Sequence, residues 1–143
     1  MATTNYEEVL TNILVGDPEF ALATAVDDVP NVRIISGCYD PKRPGIIFFL
    51  TDNDSPKTVE FEKNSRVAIA TVPQGPMVFA RCNDAIVKKA EISVEDLWDA
   101  LKEQVYGFEQ MYAAKGERMQ LYAIELGTVS VQAGMQDKGV VTF

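Results

Sequence analysis

Residues 20–72 read FALATAVDDVPNVRIISGCYDPKRPGIIFFLTDNDSPKTVEFEKNSRVAIATV, and this stretch decides the fold of the 143-residue chain. Its short apolar or alternating runs are bounded by Gly, Pro, Asp and Asn, a pattern that is typical of β-strands. The strands are predicted at residues 20–26, 32–39, 46–50 and 66–72. The polar segment 27–31 predicts the turn of a hairpin between the first two.

Two of these strands carry expectations about what covers them. If Val32 and Ile34 face the core, the two-residue period of a strand turns Arg33 to the outside, where it could reach a ligand. A solvated arginine on an exposed sheet face is the alternative. The run from Ile46 to Leu50 is apolar on both faces, as in a strand buried on each side. We therefore expect a cofactor or a second subunit to cover one of those faces.

A helix is predicted to begin at Ser55-Pro56-Lys57 and to continue to residue 63. Ser55 offers an N-cap hydroxyl, and Pro56 suits the first helical position because its missing N–H would have no helical partner there. Lys57 places a positive charge in the first turn, where the helix dipole disfavours it by about 0.3–1 kcal/mol. A bound phosphate would reconcile the two, with Thr51 and Arg33 as further ligands. A capped surface helix with a solvated lysine explains the same residues without a ligand.

The rest of the chain continues with helical and strand patterns. Residues 4–15 predict a helix whose apolar stripe covers a barrel end, and Thr4 and Glu7 have the spacing of a capping box. A second helix is predicted from Ser93, with Asp96 three positions on. The remaining elements are predicted as a helical segment at 108–114 and strands at 77–83, 85–92, 119–126 and 128–133.

The predicted strands outnumber the helices and follow one another as adjacent hairpins, one of them turning at Asn83-Asp84. This order predicts a mainly β, α+β fold: an antiparallel barrel with short helices at its ends, not a doubly wound parallel sheet. The chain is 47% hydrophobic and has no linker or internal repeat, so residues 1–143 are expected to form a single domain.

Composition argues against several classes of function. The net charge of −8 argues against a nucleic-acid partner. No apolar stretch reaches membrane-spanning length, so a cytoplasmic protein without a membrane partner is expected. The chain has no histidine, and Cys38 and Cys82 lack Cys-x-x-Cys spacing, which predicts two buried, reduced thiols and no metal site. The usual glycine-rich nucleotide motifs and the Gly-x-Ser-x-Gly motif are absent.

Four segments, in their order and spacing, resemble the pyridoxamine 5'-phosphate oxidase-like family of flavin-binding split barrels. The segments are Pro30-Asn31-Val32-Arg33, Phe48-Phe49-Leu50-Thr51, Ser55-Pro56-Lys57 and Asn64-Ser65-Arg66-Val67-Ala68. The resemblance implies a split barrel that binds FMN and holds its phosphate with Arg33, Thr51, Ser55 and Lys57. It also implies further cofactor contacts from Ile34, Ile35, Ser36 and Leu50. Finally, it implies a homodimer with FMN in a groove between the subunits.

The chain departs from the oxidase proper of that family in two ways. Cys38 stands where that oxidase usually has a lysine, and the chain lacks the C-terminal arginine and histidine pair that handles the pyridoxine substrate. Because FMN itself carries the redox chemistry, the missing histidine does not count against an oxidoreductase. The expected function is an FMN-dependent oxidoreductase acting on a small molecule. A reductase using the deazaflavin coenzyme and a flavin-binding module without turnover are the alternatives.

Overall fold

The computed structural model describes residues 3–17 and 19–143; Met1, Ala2 and Pro18 lie outside the described residues. Eight strands and four α-helices are present in the described chain, with 3₁₀ turns at Glu95–Leu97 and Gly116–Arg118. The elements are α1 (Tyr6–Gly16), β1 (Glu19–Val26), β2 (Val29–Tyr39), β3 (Ile46–Asp52), α2 (Pro56–Lys63), β4 (Arg66–Thr71), β5 (Val78–Lys89), α3 (Trp98–Gln104), α4 (Phe108–Lys115), β6 (Met119–Glu125), β7 (Thr128–Ala133) and β8 (Lys138–Thr142). None of these helices has the length and apolar character that a membrane crossing requires.

Six antiparallel strands close into a barrel. They lie in the order β4-β1-β2-β3-β6-β5, and the pairing of β5 with β4 completes the ring. β7 pairs with the first part of β5, and β8 pairs with β7, so these two strands extend the sheet. Leu10, Ile13 and Leu14 of α1 pack into the barrel cluster, as the apolar stripe of that helix predicts. The predicted antiparallel barrel with short helices is confirmed.

Strand β3 is covered on both faces, as its sequence predicts. Ile47 and Phe49 belong to the barrel cluster. Phe48 belongs to a second cluster, where it is buried with Leu97 and Leu101. The outer cover at Phe48 is therefore the layer that α3 and its preceding turn form. Leu50, on the same face of the strand, lines the cavity described below, and a cofactor or a second subunit there stays a prediction.

The turn between β1 and β2 sets the side on which Arg33 lies. Asp27 and Asp28 both have positive φ, 52° and 63°, which makes a two-residue hairpin turn in place of the predicted five-residue one. In the resulting register Arg33 pairs with Leu22, so both side chains lie on the barrel-facing side. The prediction that Val32 and Ile34 face the core is wrong, since they are 70% and 60% exposed.

The predicted hairpin at Asn83-Asp84 is also wrong, because β5 continues unbroken through these residues. Residues 78–82 pair with β7 and residues 86–89 pair with β6, so the strand changes partners here, and its register with β4 shifts. The Asp84 carboxylate accepts hydrogen bonds from the Thr128 N–H at 2.9 Å and from Cys82 Sγ at 3.1 Å. Asn83 and Asp84 therefore lie at an irregularity in the β4–β5 pairing and not at a chain reversal.

The helix starts agree with the sequence in part. Ser93 and Asp96 form the predicted capping box, with the Ser93 N–H donating to Asp96 and the Asp96 N–H donating to Ser93 Oγ. The predicted start of the α-helix at Ser93 is wrong, because this box precedes a 3₁₀ turn at Glu95–Leu97 and α3 begins only at Trp98. At α1 the predicted Thr4 cap is wrong: Asn5 caps the helix, and Thr4 Oγ1 donates to Asp137 at 2.6 Å. The tail, which shows no clear pattern in the sequence, contains β8.

Both cysteines are buried and unpaired, as predicted. Burial, with a smaller contribution from the nearby charge of Asp40, raises the pKa of Cys38 to about 12. Burial also raises the pKa of Cys82. Both thiols are therefore protonated and poorly nucleophilic at neutral pH.

Candidate functional site

A cavity of about 240 Å³ lies between the barrel and the α3–α4 segment. Five of the eight candidate cofactor-binding residues line it: Ile34, Ile35 and Ser36 of β2, Leu50 of β3, and Lys57 of α2. The opposite wall is formed by Leu101, Val105, Tyr106, Phe108 and Met111. The structure thus brings together most of the residues that the sequence motifs single out, although they lie on three separate elements.

Lys57 is the charged residue of this cavity. α2 begins at Pro56 as predicted, yet the Ser55 side chain makes no capping hydrogen bond to the helix, so that part of the prediction is wrong. Instead, Ser55 Oγ accepts a hydrogen bond from Lys57 Nζ at 2.9 Å. Burial lowers the pKa of Lys57, and the neighbouring Arg33 charge lowers it further, while Asp52 and Glu60 partly offset the shift. The lysine is thus a partly desolvated cation beside a second cation.

Arg33 is engaged within the protein. Its Nη2 lies 2.7 Å from Glu60 Oε2, and its Nη1 donates to Thr24 Oγ1 at 3.0 Å and to the Leu22 carbonyl at 3.3 Å. The arginine and glutamate side chains are only 25% and 20% exposed. Arg33 is therefore neither the solvated arginine nor the outward-facing one that the sequence allowed, although its charge acts on Lys57.

Thr51 and Ser55 do not line the same cavity. Thr51 is 5% exposed and, by the period of β3, lies on the barrel side with Phe49. Ser55 borders a separate cavity of about 370 Å³, whose basic lining residues are Lys115 and Arg118. The four phosphate ligands that the resemblance implies therefore do not line one cavity. Lys57 lines the cavity of about 240 Å³, Ser55 borders the second cavity, and Arg33 and Thr51 line neither.

Sequence reasoning missed the wall that α3 and α4 supply. Leu101 and Val105 show only a helical apolar stripe, which any packed helix shows. Between the helices Tyr106 is fully exposed and Gly107 has a φ of 71°, a left-handed conformation that favours glycine. Glu60 was missed too, because nothing in its spacing connects it with Arg33. In the described part of the chain no group of three or more His, Cys, Asp or Glu residues is arranged to hold a metal ion.

A family model described as pyridoxamine 5'-phosphate oxidase-like matches residues 13–138. The chain therefore belongs to the pyridoxamine 5'-phosphate oxidase-like family. No curated protein matches it.

Solved structures share the fold at low sequence identity. A pyridoxamine 5'-phosphate oxidase-related, FMN binding protein from Nostoc punctiforme matches with a TM-score of 0.60 and 12% identity, over 100% of this chain and 99% of that one. A FAD-binding protein from Mesorhizobium loti matches with a TM-score of 0.62 and 15% identity, over 84% and 87%. A heme binding protein from Mycobacterium smegmatis matches with a TM-score of 0.69 and 14% identity, over 99% of this chain but 60% of that one. At these identities the likeness establishes the fold alone.

Proposed function

We propose that this protein binds FMN and acts as an FMN-dependent oxidoreductase on a small molecule. The observation that carries the proposal is the position of Lys57, a partly desolvated cation at the edge of a cavity with apolar walls. Ser55 and Arg33 lie beside it as further candidates for the phosphate, and Thr51 remains a candidate on the neighbouring strand.

The cavity residues fit a planar ring that carries a phosphate. Leu50, Tyr106 and Met111 offer apolar surface to a ring system, and Lys57 offers a charge-assisted hydrogen bond to an anion. Arg33 lies close enough to lower the pKa of Lys57, and a bound anion would relieve this repulsion between two cations. When bound, FMN would supply the hydride or electron transfer. The protein would anchor the phosphate and orient the ring.

The residues of this chain support a flavin over heme, although both kinds of binder occur among the structural neighbours. Two of them bind FMN and FAD, while the heme-binding one extends well beyond the length that this chain matches. This chain contains no histidine, the residue that often ligates heme iron. A flavin needs no such ligand, so the residues present suit it better.

We also propose that two copies of the chain form the complete site. A cavity of about 240 Å³ is smaller than the roughly 300–1,000 Å³ of most ligand sites. Ile34, which lines it, belongs to an outward row with Ala21 and Ala70, and Val32 belongs to the next row with Ala23 and Ala68. These rows make an apolar face beside the cavity, and exposed apolar faces commonly mark interaction sites.

The dimer can be tested by placing a charge on this face. We expect the parent protein to sediment as a dimer at micromolar concentration and Val32→Lys to shift it towards monomer. Val15→Lys, at an exposed valine of α1, is the control and should stay dimeric. A parent that sediments as a monomer while holding FMN tightly would defeat the shared site.

An equilibrium titration and a reduction assay test the function. Adding FMN should change the fluorescence of the protein and the absorption of the flavin, and the change should saturate near one FMN per chain. In the absence of oxygen, NADH or NADPH should reduce the bound flavin. Binding without any reduction would favour the non-catalytic flavin module. Binding of the deazaflavin coenzyme alone would favour that alternative, and a protein that takes up no flavin would refute the proposal.

A further inference from the structure

Glu60 lies on α2, three residues after Lys57, and accepts three hydrogen bonds. Its Oε2 receives Arg33 Nη2 at 2.7 Å and Thr24 Oγ1 at 3.0 Å. Its Oε1 receives Asn31 Nδ2 at 3.0 Å. The carboxylate is therefore held firmly on the two strands that lead to the candidate site.

The pair of Arg33 and Glu60 is close to electrically neutral. Both terminal nitrogens of Arg33 already have acceptors inside the protein, and the ion pair is largely shielded from solvent. An anion that approaches the guanidinium also approaches the carboxylate, whose repulsion opposes the attraction. The partial burial of the pair limits the screening of this repulsion by water and salt.

Lys57 has the opposite situation. Its Nζ donates to Ser55 Oγ, which is an uncharged acceptor. A hydroxyl accepts this hydrogen bond from Lys57, whereas the carboxylate of Glu60 accepts the hydrogen bond from Arg33. Lys57, Arg33 and Glu60 together carry one net positive charge, and without the charge of Glu60 they would carry two. Asp52, whose charge also acts on Lys57, is the same in both cases.

We propose that Glu60 is a specificity-determining residue that limits how strongly this site binds a phosphate dianion. This inference rests on the proposed function and deepens it: Glu60 sets the charge that a phosphorylated ligand meets. A ligand without a phosphate does not meet this opposition, so Glu60 narrows the gap in affinity between phosphorylated and unphosphorylated flavins.

The test is the variant Glu60→Gln, which keeps the size of the side chain and an oxygen acceptor but removes the charge. Glu62→Gln is the matched control, because it removes the same charge from an exposed position of the same helix. FMN and riboflavin are titrated into each protein after circular dichroism and melting have shown that it is folded. Glu60→Gln should bind FMN about five- to thirty-fold more tightly than the parent. Riboflavin affinity should change by less than about two-fold, and Glu62→Gln should match the parent for both ligands.

The outcomes separate this proposal from the proposed function. If the parent binds FMN and Glu60→Gln binds it no more tightly, or more weakly, Glu60 only positions Arg33 and the inference is wrong. If FMN binds only to Glu60→Gln, the inference holds and the parent is not an FMN protein. If neither binds FMN, both proposals fail. An equal gain for FMN and riboflavin also overturns the inference, because a change of shape and not of charge then explains it.

A second variant keeps the inference testable if Glu60→Gln fails to fold. Arg33→Gln/Glu60→Gln removes both charges and leaves no unpaired buried ion, which makes it easier to tolerate than either single change. Since the pair is close to neutral, the double variant should hold FMN within about three-fold of the parent. Any larger loss would mean that Arg33 binds the phosphate without opposition from Glu60 and would overturn the inference.

Discussion

Replacing Lys57 by Met should weaken FMN binding without lowering the stability of the ligand-free protein. Lys57 is partly buried, and the first turn of α2 disfavours its charge by about 0.3–1 kcal/mol. Because the folded protein lowers its pKa, the protonated side chain costs folding free energy at neutral pH, and this cost is lost as the pH rises through the lowered pKa. Removal of the charge should therefore leave the ligand-free protein equally stable or slightly more stable.

The expected changes in Tm and in FMN affinity can be estimated from these contributions. A gain of up to about 1 kcal/mol corresponds to a rise of roughly 2–4 °C in Tm for a chain of this length, less whatever the hydrogen bond to Ser55 contributes. A charge-assisted hydrogen bond to phosphate contributes about 1.5–3 kcal/mol, so FMN binding should weaken about ten- to a hundred-fold. Riboflavin binding should change little, because it lacks the phosphate.

The same helix offers a matched control in Lys63→Met. Lys63 lies in the last turn of α2, where the helix dipole favours a positive charge, so its removal should lower the Tm slightly and leave FMN affinity unchanged. Calorimetry and fluorescence titration measure the two effects. If Lys57→Met lowers the Tm more than Lys63→Met does while FMN affinity stays the same, Lys57 serves the fold and not the phosphate.

Three further predictions concern other parts of the chain. Because its pKa is about 12, Cys38 should resist a thiol reagent at pH 8 in the native protein and react after denaturation, and stoichiometric reaction within minutes in the native state would contradict this. The hydrogen bonds that Asp137 accepts from Thr4 and Tyr6 lower its pKa, so Asp137→Asn should cost most stability above about pH 5 and less as the pH falls through the lowered pKa. Equal costs at pH 3 and pH 6, measured by denaturant unfolding, would exclude that coupling. Tyr106→Ala should leave bound FMN more fluorescent, because an aromatic side chain at the cavity can quench the flavin by contact; an unchanged quantum yield would place Tyr106 away from the ring.

The fold could be predicted well wherever local pattern and tertiary packing agree. β7 occupies the predicted residues 128–133, and α2 begins at Pro56, because alternation and a helix-starting proline are local signals. The hairpin at Asn83-Asp84 fails because the turn chemistry of these residues is overridden when β5 changes partners. That change depends on strands far away in the sequence, which no local window contains.

The residues of the candidate site also fall into those that a local motif predicts and those that depend on distant parts of the chain. Lys57 and Leu50 could be found from short motifs, and they do line one cavity. The side on which Arg33 lies depends on the length of one turn, since a change of one residue in register reverses the faces of a strand. The pairing of Arg33 with Glu60 and the wall that contains Tyr106 depend on long-range packing, so no local spacing predicts them.

Sedimentation velocity followed at the visible absorption band of the flavin tests the central claim most directly. The protein is mixed with a small excess of FMN at micromolar concentration, and the sedimenting flavin is compared with the sedimenting protein. We predict that the flavin absorbance sediments with the mass of a dimer, at about one FMN per chain, and that Lys57→Met releases most of the flavin. Flavin absorbance that does not sediment with the protein at any protein concentration would contradict FMN binding.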